Sequence, residues 1–193
     1  IHHRVKNNLQ IIASLLNLQS RYIRDESTLA AIRESQNRVK AMALVHEKLY
    51  RSEDLSHIDL HEYIKFLGTG LFQFYDAKSR GIQFRLDLHD VHVDINTAIP
   101  LGLILNELIS NSLKYAFPNG KRGEVSISIQ KEEHTLTVRF HDDGVGIPET
   151  LDWKETQSLG LRLVNTLVDQ LNGTIELDRT AGTTFTLVLH EKK

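Results

Sequence analysis

Apolar side chains recur every three or four positions through the first fifty residues, and then, from Ile82, at every second position. Side chains share a helical face at spacings of three and four, but a strand face at a spacing of two. A chain with both rhythms is built in two parts. In the first part Val5, Leu9, Ile12 and Leu16 form one stripe, and Ile11, Leu15, Leu18 and Tyr22 form a second. Together they are too broad for a two-stranded seam and suit a helix with two neighbours. Residues 24–27 read as a connection with Ser27 as N-cap, and a second helix runs to about Tyr50. Its inner face is Ile32, Val39, Met42, Val45 and Leu49. The expectation is an antiparallel helical hairpin. One hairpin cannot bury every apolar position, so a second copy is expected to complete a four-helix bundle in a homodimer.

Residues 51–56 read as a linker between a helical part, 1–55, and a second part, 56–193. In the second part Asp59 is placed to cap a helix from Leu60 to about Tyr75. Residues 82–88 alternate as a strand, and Ala98 to Ala116 reads as a long apolar helix with Pro100 in its first turn. Residues 124–130 and 135–141 alternate and form a hairpin. Residues 142–148 are a loop, and 158–171 a helix closed by Asn172-Gly173. Residues 173–178 and 183–190 are the last strands. The second part is therefore α+β, with helices over one face of a mixed sheet.

Composition removes several classes of function. A formal net charge of −2 gives no field for nucleic acid or a membrane surface. With no cysteine there is no disulfide, thiolate metal site or cysteine nucleophile, as suits a reducing cytoplasm, the expected location. No apolar run approaches the ~20 residues that span a bilayer. The chain starts on Ile1 within helical sequence, so it is expected to be a fragment whose upstream sensor part is missing.

Four features carry chemistry. Glu107, Asn111 and Lys114, with Asn106 beside them, share a face of the apolar helix. A carboxylate, a carboxamide and an ammonium are costly to bury without partners; Mg²⁺ and a polyphosphate would supply them, and a solvent-facing stripe is the alternative. Asp142-Asp143-Gly144-Val145-Gly146 follows a strand, where glycines permit close backbone approach and a buried Asp can accept from an exocyclic amine. The same residues also mark ordinary turns. Ser158, Leu159, Gly160 and Leu161 open a helix whose free N–H groups can bind an anion; capping by Ser158 is the alternative. Gly182-Thr183-Thr184 enters the last strand, or is a plain turn. There is no Walker loop and no H-R-D or D-F-G set. His46-Glu47 lacks the second histidine of a zincin, and His57, His61, His89 and His92 suggest no metal site.

In this order the features resemble the N, G1 and G2 boxes of the GHKL ATPases, which include histidine kinases, DNA gyrase, a heat-shock chaperone and a mismatch-repair protein. Residues 2–10, HHRVKNNLQ, with the following LLNLQSR, resemble the phosphoacceptor helix of the HisKA_2 histidine kinases, relatives of the HWE group. The resemblance implies a Bergerat-type sandwich over about 56–193 and a sensor kinase core that autophosphorylates on a histidine and passes the group to an aspartate of a response-regulator receiver domain. It implies ATP and Mg²⁺. Asn111 would hold the metal beside Asn106, and Lys114 and Tyr115 would meet phosphate or ribose. Asp142 would recognise adenine, with Gly144 and Gly146 shaping the loop. Residues Ser158 to Leu161 would lie near the phosphates, and Thr183 would support the base. Glu107 matches the general base of hydrolysing relatives.

The commoner histidine kinases place an acidic residue after the phosphorylated histidine and a proline a few residues on; here Arg4 and Asn7-Asn8 stand there. The G2 run is reduced, and Glu149 to Gln157 is short for an ATP lid. On the same resemblance His3, with Arg4 next and Asn7 four on, is the acceptor. His2, with Lys6 at the fourth place, fits that frame less well, and adjacent helical side chains point about 100° apart. Two rivals stand beside the kinase: a clamp that hydrolyses ATP, suggested by Glu107, and a non-catalytic dimeric nucleotide-binding scaffold.

Overall fold

The computed structural model describes residues 2–49, 57–88, 90–156 and 158–190, without the side chains of 2–6, 41 and 44–49. The chain divides into two compact units, Ile1–Ser56 and His57–Lys193. In the first, α1 (His2–Ser20) and α2 (Glu26–Leu49) pack along each other. The cap of α2 is Asp25 rather than Ser27. Its carboxylate accepts from the Thr28 N–H at 2.7 Å and from both neighbouring hydroxyls, those of Ser27 and Thr28, at 2.6 Å. A carboxylate reaches the orphan N–H groups of the first turn and complements the helix dipole, which Ser27, itself donating to Asp25, does not do. Those bonds hold Asp25 well below the usual carboxylate range, at about 2, with the Ser27 hydroxyl the largest contributor.

The second unit runs β1 (Ile58–Asp59), α3 (Leu60–Phe74), β2 (Ile82–Asp87), β3 (His92–Val93) and α4 (Ile95–Asn111). A π-helical turn (Ser112–Ala116) follows, then β4 (Gly123–Glu132), β5 (Thr135–Asp142), α5 (Leu159–Gln170), β6 (Thr174–Asp178) and β7 (Thr183–His190). The main sheet has order β2-β4-β5-β7-β6, with β2 parallel to β4 and every other pair antiparallel, so the mixed α+β sheet is as read from sequence. Along β4 and β5 the alternation sends Val125, Ile127, Ile129, Leu136, Val138 and Phe140 into the core while Ser126, Ser128 and Arg139 stay accessible. Asp59 caps α3 through the Glu62 N–H.

Two readings of the helix before the site change, the closure of α5 at Asn172-Gly173 holds, and one small sheet is added. The helix before the site begins at Ile95, capped by Asp94 through Thr97, so Pro100 lies inside it rather than in its first turn. That helix does not continue to Ala116 as an α-helix; it widens to a π-turn at Ser112. After α5 it is Asn172 that adopts the left-handed conformation, with φ of 51°, while the Gly173 N–H closes back on Val168 O at 3.0 Å. The two-residue strands β1 and β3 pair with each other in a small second sheet, too short for any alternation to announce them.

Candidate functional site

Beneath the C-terminal end of α4 lies a cavity of about 330 Å³. Leu108, Asn111, Ser112, Tyr115 and Ala116 form one wall, at helical spacings. Phe140, Asp142, Thr183 and Phe185 form the floor, and Gly146, Ile147, Pro148, Leu151, Thr156, Ser158 and Leu161 the remaining rim. The floor follows from strand register. Asp142 on β5 stands opposite Thr183 on β7, and Phe140 opposite Phe185. Asp142 is 1% exposed. A buried carboxylate needs donors, and two are supplied: the Ser112 hydroxyl donates to Oδ2 and the Gly144 N–H donates to Oδ1 at 3.0 Å. Its neighbour Asp143 turns outward, where Oδ1 accepts from the Glu124 N–H at 2.7 Å.

The π-turn presents Ser112 to Asp142. The carbonyls of this stretch find donors elsewhere, as a widened turn requires. Arg80, in the turn after α3, donates from Nη1 to Leu113 O at 2.7 Å and from Nη2 to Phe117 O at 3.2 Å. The Val145 N–H donates to Ala116 O at 2.9 Å, which docks the glycine loop on the end of the helix. Backbone closeness limits the side chains here. A Cβ on Gly144 would overlap Ala116. Gly182 has φ of 83°, and a Cβ there would overlap the Asp142 carbonyl.

The structure brings together Asn111, Tyr115, Asp142, Gly146, Ser158, Leu161 and Thr183 on the cavity wall. Asn106 and Glu107 are buried in α4 on other faces, and the Asn106 Oδ1 is buried with no partner among the described residues. Lys114 is half-buried, and like Gly144, Leu159 and Gly160 it does not line the cavity. The polar face picked out as 107, 111 and 114 is thus one step off the face that lines the site. Ser158 makes no side-chain cap bond to α5, so plain capping does not account for it. The side chains of His2, His3 and Arg4 lie outside the described residues, as do those of Lys6 and His46 and the whole of His89 and Gln157. Asn7 is exposed on α1. Among the described residues no three His, Asp or Glu side chains converge as a metal site. Of the other histidines, His61 Nδ1 lies 3.2 Å from Leu88 O and His141 Nδ1 lies 2.9 Å from the Thr184 hydroxyl.

Residues 96–193 match the histidine kinase-, DNA gyrase B- and HSP90-like ATPase family, and residues 1–75 match the HisKA_2 histidine kinase family. The chain belongs to these histidine kinase families. It is 37% identical over 179 residues to the sensor histidine kinase PdtaS of Mycobacterium tuberculosis, covering 91% of this chain and 35% of that protein. It is 31% identical to blue-light-activated histidine kinase 2 of Erythrobacter litoralis, over 97% of this chain and 54% of the relative. The chain thus spans about a third to a half of the length of these curated relatives. The histidine kinase domain of the Erythrobacter litoralis EL346 blue-light activated histidine kinase shares the fold, with a TM-score of 0.71 at 21% identity over 93% of this chain and 95% of that one. The longer EL346 structure gives 0.68 at 27% identity, over 97% of this chain and 60% of that one. In this histidine kinase chain, sequence reasoning missed Ser112 and Arg80. Ser112 stands beside Asn111 in a box that was read for its charged and amide residues. Arg80 is 33 residues from the carbonyl it holds, and no pattern signals that.

Proposed function

We propose that this chain is the core of a two-component sensor histidine kinase, with a helical unit that dimerises and carries the phosphoacceptor, and an α/β unit that binds ATP in the cavity under α4. The single observation that carries the ATP reading is Asp142: a buried carboxylate on the floor of an otherwise mostly apolar cavity, held by Ser112 and Gly144. A carboxylate so fixed accepts a hydrogen bond from the adenine amine, while Phe140, Phe185 and Leu108 enclose the flat ring. Thr183 sits opposite Asp142 in register and supports the base. Tyr115 and Asn111 lie along the same wall, toward ribose and phosphates, with Lys114 on the adjacent face. The start of α5, at Ser158 to Leu161, offers its N–H groups to phosphate.

The carboxamide of Asn111 suits Mg²⁺, a hard cation that takes neutral oxygen ligands and keeps several waters, and phosphate and water would supply the rest of its ligands. Bound there, the ion would offset charge on the transferring group. A ring nitrogen of His3 forms an N–P bond with the γ-phosphorus as the bond to the bridging oxygen of ADP breaks, and the proton of the other ring nitrogen passes to water. Arg4 would neutralise charge and Asn7 would orient the ring; Glu107, at the general-base position of hydrolysing relatives, is buried on another face of α4 and is given no part in the transfer. The phosphoryl group then passes to an aspartate on a response-regulator receiver domain.

Incubation with γ-labelled ATP and Mg²⁺ tests this. The expected product is acid-labile, alkali-stable label on the protein, lost in His3→Ala and kept in His2→Ala. Free phosphate without labelled protein would sink the kinase reading in favour of a hydrolysing clamp. Bound nucleotide with neither product would leave a scaffold.

A further inference from the structure

Residues 149–156, on the rim of the cavity, have no regular secondary structure. A segment without a ladder of its own holds its position through side-chain anchors, and here there are two. Arg179, in the turn after β6, donates from Nη2 to Leu151 O at 2.8 Å and more weakly from Nη1 to Glu149 O at 3.4 Å. Its Nε is buried with no partner among the described residues. Trp153 is 8% exposed and stands edge-on to Phe185 of β7, with ring centroids 5.3 Å apart. Leu151, Thr156 and Phe185 all line the cavity.

Both anchors therefore belong to one hairpin. The turn that carries Arg179 is itself fixed, because the Thr180 N–H donates to Asp178 Oδ1 at 2.9 Å. That bond leads the causes holding the Asp178 carboxyl below its usual range. The same turn supplies the Gly182 carbonyl, which stands 3.1 Å from where a Gly146 Cβ would be. Strand β7 supplies Thr183 opposite Asp142. A guanidinium suits this place because its planar fork serves two carbonyls at once, which an ammonium cannot do in the same geometry.

We propose that Arg179 is a positioning residue that holds residues 149–156 as a preformed wall of the nucleotide cavity, so that nucleotide affinity rather than the transfer step depends on it. The proposal rests on the nucleotide reading above. Without the tether the segment samples open conformers, and apparent affinity falls by the fraction still competent; a fall of that fraction to about a tenth weakens binding about tenfold.

The chain has a single tryptophan, Trp153, so the segment carries its own reporter. Arg179→Gln and Arg179→Lys are compared with the wild type in three measurements: acrylamide quenching of Trp153 without nucleotide, ADP affinity by calorimetry, and label transfer from saturating γ-labelled ATP. Arg179→Gln is expected to raise quenching, to weaken ADP about tenfold, and to keep the transfer rate at saturation within about twofold. Arg179→Lys is expected to lie between. Wild-type quenching and affinity in both variants would overturn the proposal, as would a loss in transfer rate with affinity unchanged. If Arg179→Gln fails to fold, Arg179→Lys decides by the same measures. A wild-type chain that binds no ADP refutes the nucleotide reading alone, and the quenching comparison still decides whether Arg179 holds the segment.

Discussion

The helical unit and the α/β unit use their apolar residues in opposite ways. In the α/β unit Leu101, Ile104, Leu105, Leu108 and Ile109 of α4 are all 1% exposed or less. In the hairpin, Ala13 is the one apolar side chain among those described that is buried, while Ile11, Leu15, Leu18 and Tyr22 are 58%, 55%, 50% and 87% exposed. Arg38, also buried there, is held by an ion pair to Glu34 at 2.7 Å. The α/β unit closes a core around itself. The hairpin buries one of the two stripes of α1 only in part and leaves the other open. Such a face is written for a further surface, and the proposed second copy of the chain supplies one.

The largest expected effect that sharpens this contrast is at the floor of the cavity. Asp142→Ala removes the proposed adenine acceptor and strands the Ser112 hydroxyl and Gly144 N–H. Nucleotide affinity should fall by more than about a hundredfold, and stability by about 1–3 kcal/mol. Calorimetric titration and urea unfolding measure the two, and retained affinity would remove Asp142 from the site. Next come paired truncations. Ile104→Ala should cost about 2–5 kcal/mol by opening a cavity in a closed core. Leu15→Ala should cost under about 0.5 kcal/mol in dilute monomer, yet it should shift sedimentation toward monomer at higher concentration. Equal costs for the two in the monomer would break the comparison.

Gly182→Ala is a smaller perturbation of the closed unit. It adds a Cβ at φ of 83° against the Asp142 carbonyl, and about 1–3 kcal/mol of strain should appear in urea unfolding, with weaker nucleotide binding. Unchanged affinity would show that the turn does not support the floor. The smallest effect belongs to the hairpin and to pH. The Asp25 carboxyl is lowered in the folded chain to about 2, first by the Ser27 hydroxyl. A depressed carboxyl contributes stability that is present above its unfolded value and lost as pH falls through the folded value. The start of α2 should therefore fray between about pH 4 and pH 2, and Asp25→Asn should remove that dependence. Carbon chemical shifts at Thr28 and Leu29 follow it, and a titration that is the same in both chains would discount the cap.

How much was legible depends on how local the physics is. Alternation in residues 124–130, 135–141 and 183–190 gave three strands, since half-buried strands repeat at every second residue. Asp142 and Thr183 were chosen separately from their neighbours, and sheet register set them face to face. The start of α4 was missed: the helix was read from the apolar run at Ala98, whereas Asp94 caps it through the Thr97 N–H. Lys114 was grouped with Glu107 and Asn111 by their spacing of four and three on one helical face, whereas the cavity uses Leu108, Ser112 and Tyr115 with Asn111.

The sequence by itself determined the two rhythms, the mixed α+β arrangement and the family boxes, because each depends on spacing along the chain. Tertiary structure alone decided the π-turn, the partners of Asp142 and the reach of Arg80 and Arg179 to distant carbonyls. Those choices depend on which donors arrive from 28 to 37 residues away to satisfy backbone carbonyls and the buried Asp142 carboxylate, and such meetings exist only once the sheet and helices have packed.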